Sequence, residues 1–206
     1  LSEVAAKLNS AARSRWQMSQ ARPLPPLLLL SDETRLPDPA PALAALPPGS
    51  GFIFRHYDDP HREEKAKGLC AIARDRSILF LVAGDIELAC ARGAYGCHRP
   101  EYRLAGLRAC RSVAGLRHNT AAVQAQSALE EAARYGAHAA LLSPVFATRS
   151  HPDGKTLGAA AAIKLAQEAA LPVYALGGIS SETALSLADS SFAGFAAIDG
   201  LASTHR

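Results

Sequence analysis

Leu171-Pro-Val-Tyr-Ala-Leu-Gly-Gly-Ile179 is the stretch that decides the fold, and Gly194-Phe-Ala-Ala-Ile-Asp-Gly200 repeats its pattern further along the chain. In each, an apolar run of strand length passes directly into glycine and other small residues. A strand that is apolar on both faces suits a parallel sheet covered by helices. Small residues after it leave backbone N–H groups open to an anion. A tight turn is the plainer reading of one Gly-Gly. Two such endings at the C-terminal end of an α/β chain resemble the loops after the last two strands of a (β/α)8 barrel, the usual phosphate site of that fold. The expected ligand is therefore a phosphorylated small molecule.

Working outward, eight apolar runs read as strands: Leu27 to Leu30, Phe52 to Phe54, Ile78 to Val82, Tyr95 to Cys97, Ser112 to Gly115, Ala139 to Leu142, Val173 to Leu176 and Phe192 to Ile198. Helical patterns fall between them at His61 to Arg74, Asp85 to Arg92, Thr120 to Tyr135, Ala159 to Ala169 and Glu182 to Ala188. Asn119 is placed to cap its helix, Gly136 to end it, and Ser181 precedes another. Prolines interrupt the Pro37 to Pro48 segment, which reads as a degenerate first helix or a loop. The fold class is α/β, a single (β/α)8 TIM barrel. A doubly wound open sheet is the competing architecture, but no G-x-G-x-x-G follows the first strand.

Ser2 to Gln20 reads as an extra amphipathic helix, with Val4, Leu8, Ala12 and Trp16 one turn apart, before a bend at Pro23, Pro25 and Pro26. Residues 201–206 are too few for a normal eighth helix, so that helix is expected to be truncated or missing. The leading helix would then cover barrel surface it leaves open. The domain division is a helical extension over 1–22 and a barrel over 23–206.

At 206 residues, 49% of them hydrophobic, the chain can bury one full core. A formal charge of +3 from dispersed basic residues gives no footprint for nucleic acid. Pro23 to Leu30 is too short to cross a bilayer. Cys70, Cys90, Cys97 and Cys110 sit in Ala-rich apolar elements with no CxxC pair, which fits buried reduced thiols and a cytoplasmic location.

The order of motifs from Leu27 to Leu201 resembles the thiamin-phosphate synthase/TenI family. Ser143-Pro-Val-Phe-Ala-Thr148 is similar to the family's G-P-V-F-x-T loop after strand six, and Pro172-Val-Tyr-Ala-Leu-Gly-Gly-Ile179 to its P-V-x-A-I-G-G-I. Supporting matches are Asp85-Ile-Glu-Leu-Ala89, Gly93-Ala-Tyr-Gly-Cys-His98, and Arg117-His118, which stands at the end of the strand-five reading where the family has S-x-H. The resemblance implies a thiazole phosphate as ligand, with Gly177, Gly178 and the backbone around Asp199 and Gly200 as its phosphate site. It also implies Thr148 and Ser150 as hydroxyls near the substrate. Asp199 departs from the family's small hydroxyl residue and would repel phosphate unless turned away.

Family synthases join a pyrimidine diphosphate to a thiazole phosphate, using magnesium on the diphosphate. The residues for that chemistry diverge here. The family's Q-x-R-x-K after strand two becomes Ile53-Phe-Arg55-His-Tyr57, its N-D after strand three becomes Ala83-Gly84, and its metal-binding aspartate falls at Arg103. A guanidinium has the wrong sign and no lone pair for Mg²⁺. No cofactor is expected, and Mg²⁺ enters only if Asp85 or Glu101 restores a site and the chain is an active synthase. Arg55 either grips a ligand oxyanion or pairs with Asp32 or Asp58 at the mouth.

The losses resemble the TenI branch, whose members tautomerise a thiazole carboxylate phosphate without metal, moving the proton with a histidine at the end of strand five. His118 is the catalytic residue this implies, an imidazole suiting proton transfer near neutral pH. Arg117, if turned inward, opposes its protonated form. A helix cap or strand-end hydrogen bond is the structural alternative for His118. His98 and Tyr57 read as pocket lining, His56 and His151 as loop residues, and Arg149 to Lys155 as a lid or an ordinary loop. Three activities stay open: TenI-like tautomerase, diverged synthase, and noncatalytic phosphate-ligand-binding barrel. The partner set is a phosphorylated thiazole-type molecule, with no nucleic acid or membrane and a possible homo-oligomer.

Overall fold

A computed structural model of the chain describes residues 1–16, 25–111, 113, 115–148 and 155–198, with backbone only at 110 and 111. Eight parallel strands close in chain order into one barrel: β1 Leu27–Leu30, β2 Gly51–Phe54, β3 Leu79–Ala83, β4 Gly96–Arg99, β5 His118–Val123, β6 Ala139–Leu142, β7 Val173–Leu176 and β8 Gly194–Ala197. Closure between β1 and β8 through Leu28 and Ala196 excludes the open sheet. The helices are α1 Ser2–Arg15, α2 Ala40–Ala45, α3 Arg62–Asp75, α4 Ile86–Ala91, α5 Leu107–Arg111, α6 Gln126–Arg134, α7 Gly158–Glu168 and α8 Ser181–Leu185. A 3₁₀ turn, Glu101–Gly106, leads into α5.

Apolar runs become strands here because both faces are buried. Leu28, Leu30, Ile53, Leu81, Ala83, Leu141, Tyr174 and Ala196 fill the barrel. Their alternating neighbours, among them Leu29, Phe52, Val82, Leu142 and Phe195, pack outward into the layer beneath the helices. At roughly 1.5–3 kcal/mol per fully buried large apolar side chain, these two layers supply the main driving force for folding.

The Pro-interrupted segment forms the short α2, with proline in its first turn where a missing N–H costs nothing. α1 seats itself against the N-terminal end of the barrel. Asn9 donates its side-chain N–H to the carbonyl of Ala193 at 3.0 Å, and Arg15 donates to that of Gln167 at 2.7 Å. Its Ala5 and Leu8 join the outer layer, while Ala12 and Trp16 pack on the interior cluster. The expected truncation of a helix after β8 concerns residues 199–206, outside the described residues.

Strand five corrects the sequence reading. The strand is His118–Val123, not Ser112 to Gly115, and the helix expected from Thr120 starts at Gln126. Asn119 therefore pairs in the sheet opposite Cys97 and caps no helix. His118, Asn119 and Thr120 are polar yet buried, so the strand lacks the apolar signature of its neighbours. Leu107–Arg111, just ahead of the expected strand, forms α5. The thiols differ too: Cys70 and Cys97 are buried but Cys90 is exposed, because it lies on the outer side of the short α4. No helix among the described residues is long and apolar enough to cross a membrane.

Candidate active site

The C-terminal ends of the strands form the mouth. After β7 the chain turns through Gly177 at φ 96° and Gly178 at φ 64°, backbone values that side chains strongly disfavour. A Cβ on Gly177 would lie 2.9 Å from Pro144 Cα, and one on Gly178 would collide with the carbonyl of Ala147. The loop after β6 is pressed against this turn. Val145 donates its N–H to Leu176 at 2.9 Å and Phe146 to Gly177 at 3.0 Å. Thr148 is carried beside Gly177, its methyl 3.3 Å from the same hypothetical Cβ. Ser180 caps the following helix, accepting from Thr183.

Register builds the second part of the site. Ala83 aligns with His98, His98 with Thr120 and Thr120 with Ala139, so these four face the interior in one line. Ile53 aligns with Leu81. Arg55, two residues beyond Ile53, therefore falls level with Ala83 at the rim. The short Ala83 leaves the Arg55 charge within electrostatic reach of His98. His98 is buried, its Nδ1 2.9 Å from Thr120 Oγ1. Burial, reinforced by the Arg55 charge, pushes its pKa down to about 3, so the imidazole is neutral at pH 7.

Arg55 resolves the choice between its two expected acidic partners. Its Nη2 contacts Asp32 Oδ2 at 3.0 Å and its Nε donates to the Ser31 carbonyl at 2.9 Å. Burial raises the Asp32 pKa, but the amides of Arg35 and Thr34 together with the Arg55 charge outweigh it and leave the value below 3.8. Asp58 instead meets Glu33 through its backbone N–H.

Two arginines that sequence reading missed hold the turn after β3. Arg62 reaches across from α3 to donate to the carbonyls of His56 and Ala83, the second at 2.7 Å, and covers the rings of Phe54 and Tyr57. Arg99 donates to the carbonyl of Gly84 at 3.1 Å. No motif marks either residue, because their partners are backbone atoms supplied by other loops. Asp85 Oδ1 accepts from Leu88 at 2.8 Å and caps α4. Glu101 Oε2 is buried without a hydrogen-bond partner. No group of three His, Cys, Asp or Glu able to hold a metal occurs among the described residues. Among the described residues, Asp85 is engaged as a helix cap and Arg103 brings a positive charge, a chemistry that does not suit Mg²⁺.

His118 is at the wrong end for the role expected of it. It opens β5 rather than ending it, roughly 16 Å along the strand from the rim at Val123. There it aligns with Gly96 and lies 5.6 Å from the His138 ring and 6.3 Å from that of Tyr95. The residues that do follow β5 are Gln124, Ala125, Gln126 and Ser127, with no imidazole. The misplacement follows from the misread strand. Arg55, Tyr57, His98, Thr148, Gly177 and Gly178 do belong to the C-terminal end. Ser150, His151, Asp199 and Gly200, with most of the Arg149 to Lys155 segment, lie outside the described residues. His56 is a buried loop residue, 3.6 Å from Asp59.

A family model described as thiamine monophosphate synthase matches residues 40–201. The chain belongs to that family. Among its relatives, a protein of Aquifex aeolicus (strain VF5) provisionally named thiamine-phosphate synthase 2 is 31% identical over 131 residues, 63% of this chain and 70% of that protein. The thiamine-phosphate synthase of Synechococcus sp. (strain WH7803) is 28% identical over 143 residues, and the match spans only 40% of its length. The solved structure of a thiamine phosphate pyrophosphorylase from Pyrococcus furiosus superposes with a TM-score of 0.75 at 22% identity, covering 90% of this chain and 91% of that one. That likeness concerns the thiamine monophosphate synthase fold. The mouth residues of this member have to be read on their own chemistry.

Proposed function

We propose that the protein acts on a thiazole phosphate in thiamin biosynthesis, by a TenI-like, metal-free proton transfer. The observation that carries this reading is the pairing, at one mouth, of the Gly177–Gly178 turn with the Arg55–His98–Thr120 line. The glycine amides would receive the phosphate, since nothing at Gly177 or Gly178 projects between backbone and ligand. The heterocycle would then extend over the barrel interior toward His98.

With His118 at the far end, His98 is the imidazole placed for proton transfer. Thr120 holds its Nδ1, which leaves Nε2 to exchange the proton. A base with a pKa near 3 is weak. A ligand carboxylate beside Arg55 would offset the smaller, coulombic part of that depression, while the larger part, burial, would remain. His98 would accept the carbon-bound proton of one thiazole tautomer and return it to the ring in the other, regenerating the neutral side chain.

The absence of an imidazole among Gln124 to Ser127 favours a second reading, a barrel that binds the ligand without turnover. An assay of the purified protein with thiazole carboxylate phosphate, followed by NMR of the two tautomers, tests both. Conversion that His98→Ala abolishes supports the enzyme. Binding with no conversion leaves the noncatalytic barrel. Product formed only with added pyrimidine diphosphate and Mg²⁺ would establish a diverged synthase and overturn the proposal, as would the absence of thiazole phosphate binding.

A further inference from the structure

The turn after β3 has little side chain of its own to hold it, because Ala83 carries a methyl group and Gly84, at φ 76°, only a hydrogen. Both of its carbonyls are nevertheless fixed by guanidinium groups that come from two other elements. Arg62, at the start of α3, donates Nη2 to Ala83 O at 2.7 Å and Nη1 to the carbonyl of His56 beyond β2. Arg99, the last residue of β4, donates Nη1 to Gly84 O at 3.1 Å. Two arginine forks thus tie the ends of β2, β3 and β4 together.

The tie reaches the interior imidazole. Gly84 donates its N–H to the carbonyl of His98 at 2.9 Å, and Ala83 pairs with His98 in the ladder. The backbone that carries His98 is therefore set from one side by the β3 turn, while Thr120 Oγ1 meets its ring at 2.9 Å. Neighbouring groups confine the two arginines in turn. Arg62 Cζ lies 5.3 Å from the centre of the Phe54 ring and 5.4 Å from that of Tyr57, within the range of cation–π contact. Arg99 is buried, and a Cβ on Gly106 would come within 3.3 Å of its Cζ, so glycine there leaves the guanidinium its room against the 3₁₀ turn. Lysine is a poor substitute for Arg62, since its ammonium is a compact point donor and does not span two carbonyls in one rigid plane.

We propose that Arg62 is a positioning residue: its fork, working with Arg99, locks the β3 turn and so holds His98 at the height and angle from which it exchanges a proton with the ligand. Arg62 acts through backbone atoms and not by touching the reacting group. The inference rests on the reading of His98 as the acid–base residue.

Arg62→Ala and Arg62→Lys test it. The residue is only half-buried, and a melting curve confirms that each variant folds. Single-turnover tautomerisation of thiazole carboxylate phosphate should slow about tenfold to 10²-fold in both, the scale of a reacting group displaced by about an ångström, with ligand affinity changed less than about twofold. Millimolar guanidinium, well below denaturing concentrations, should restore part of the rate to Arg62→Ala and less to Arg62→Lys, whose side chain fills the gap.

A second readout needs no turnover. Among the seven histidines, His98 and His118 are identified in an imidazole nitrogen NMR spectrum by the signals lost in His98→Gln and His118→Ala. The His98 signal should shift in Arg62→Ala, while that of His118, at the other end of the barrel, stays. If Arg62→Ala fails to fold, Arg62→Lys carries both readouts. Full activity in Arg62→Lys, a loss of affinity as large as the loss of rate, or an unmoved His98 signal would overturn the positioning role. A wild type without turnover, with the His98 signal still moved by the substitution, would sink the functional proposal and spare the tie between the strand ends.

Discussion

His98 Nδ1 sits 2.9 Å from Thr120 Oγ1 in the upper barrel, whereas His118 packs 5.6 Å from the His138 ring near the N-terminal end. Both are 2% exposed, so burial does not separate them; height along the barrel axis does. Replacing His98 by alanine should lower tautomerisation by roughly 10²-fold or more, the usual scale of a positioned acid–base group, with thiazole phosphate affinity changed only slightly. Single-turnover kinetics beside a binding titration separate the two quantities. His118→Ala should do the reverse. It removes a buried ring and should cost about 1–3 kcal/mol of stability in urea denaturation, leaving ligand affinity unchanged.

At the scale of elements, the mouth depends on two loops held in register by the Val145 and Phe146 amides. Gly178→Ala would place a methyl group against the Ala147 carbonyl at a left-handed φ. About 1–3 kcal/mol of strain is expected, with thiazole phosphate affinity falling in the same variant. Equal affinity in a folded Gly178→Ala protein would remove this turn from the phosphate reading. α1 acts at the opposite end, where Leu8 is buried in the outer layer. Leu8→Ala should destabilise by about 2–5 kcal/mol, and a thermal melt of the purified variant measures it. Turnover at a temperature well below the melt should be unaltered, because α1 contributes nothing to the rim.

For the whole molecule, buried histidine makes stability depend on pH in a defined window. The folded pKa of His98 is about 3 against an ordinary 6.5, so the unfolded chain takes up the proton first as pH falls. Its contribution is complete above about pH 6.5 and is lost progressively toward pH 3. Asp32 and Asp59, whose values lie below 3.8, lose theirs only in more acid solution; the Lys65 contact is the main cause for Asp59. Denaturation midpoints should therefore begin to drop between about pH 6.5 and pH 4, before these carboxylates titrate. His98→Gln should flatten that region and leave the steeper acid limb. A wild-type midpoint constant down to pH 4 would show that His98 is not held neutral.

Barrel closure was legible in the sequence because it follows from local chemistry repeated eight times: runs such as Leu27–Leu30, Ala139–Leu142 and Val173–Leu176 are apolar on both faces, and small residues end β7. The same locality shows that Ala83, Gly84 and Arg103 differ in residue type from a carboxylate. Strand β5 was not legible. His118, Asn119 and Thr120 are polar residues whose burial depends on neighbouring strands in register, a fact no local window contains. That one misplacement carried the catalytic assignment to the wrong end of the barrel. Tertiary structure alone decided which imidazole stands level with Arg55, and that Arg62 and Arg99 occupy the carbonyls of the β3 turn. Both depend on long-range register and on backbone atoms, which are the same in every residue and leave no mark in the sequence.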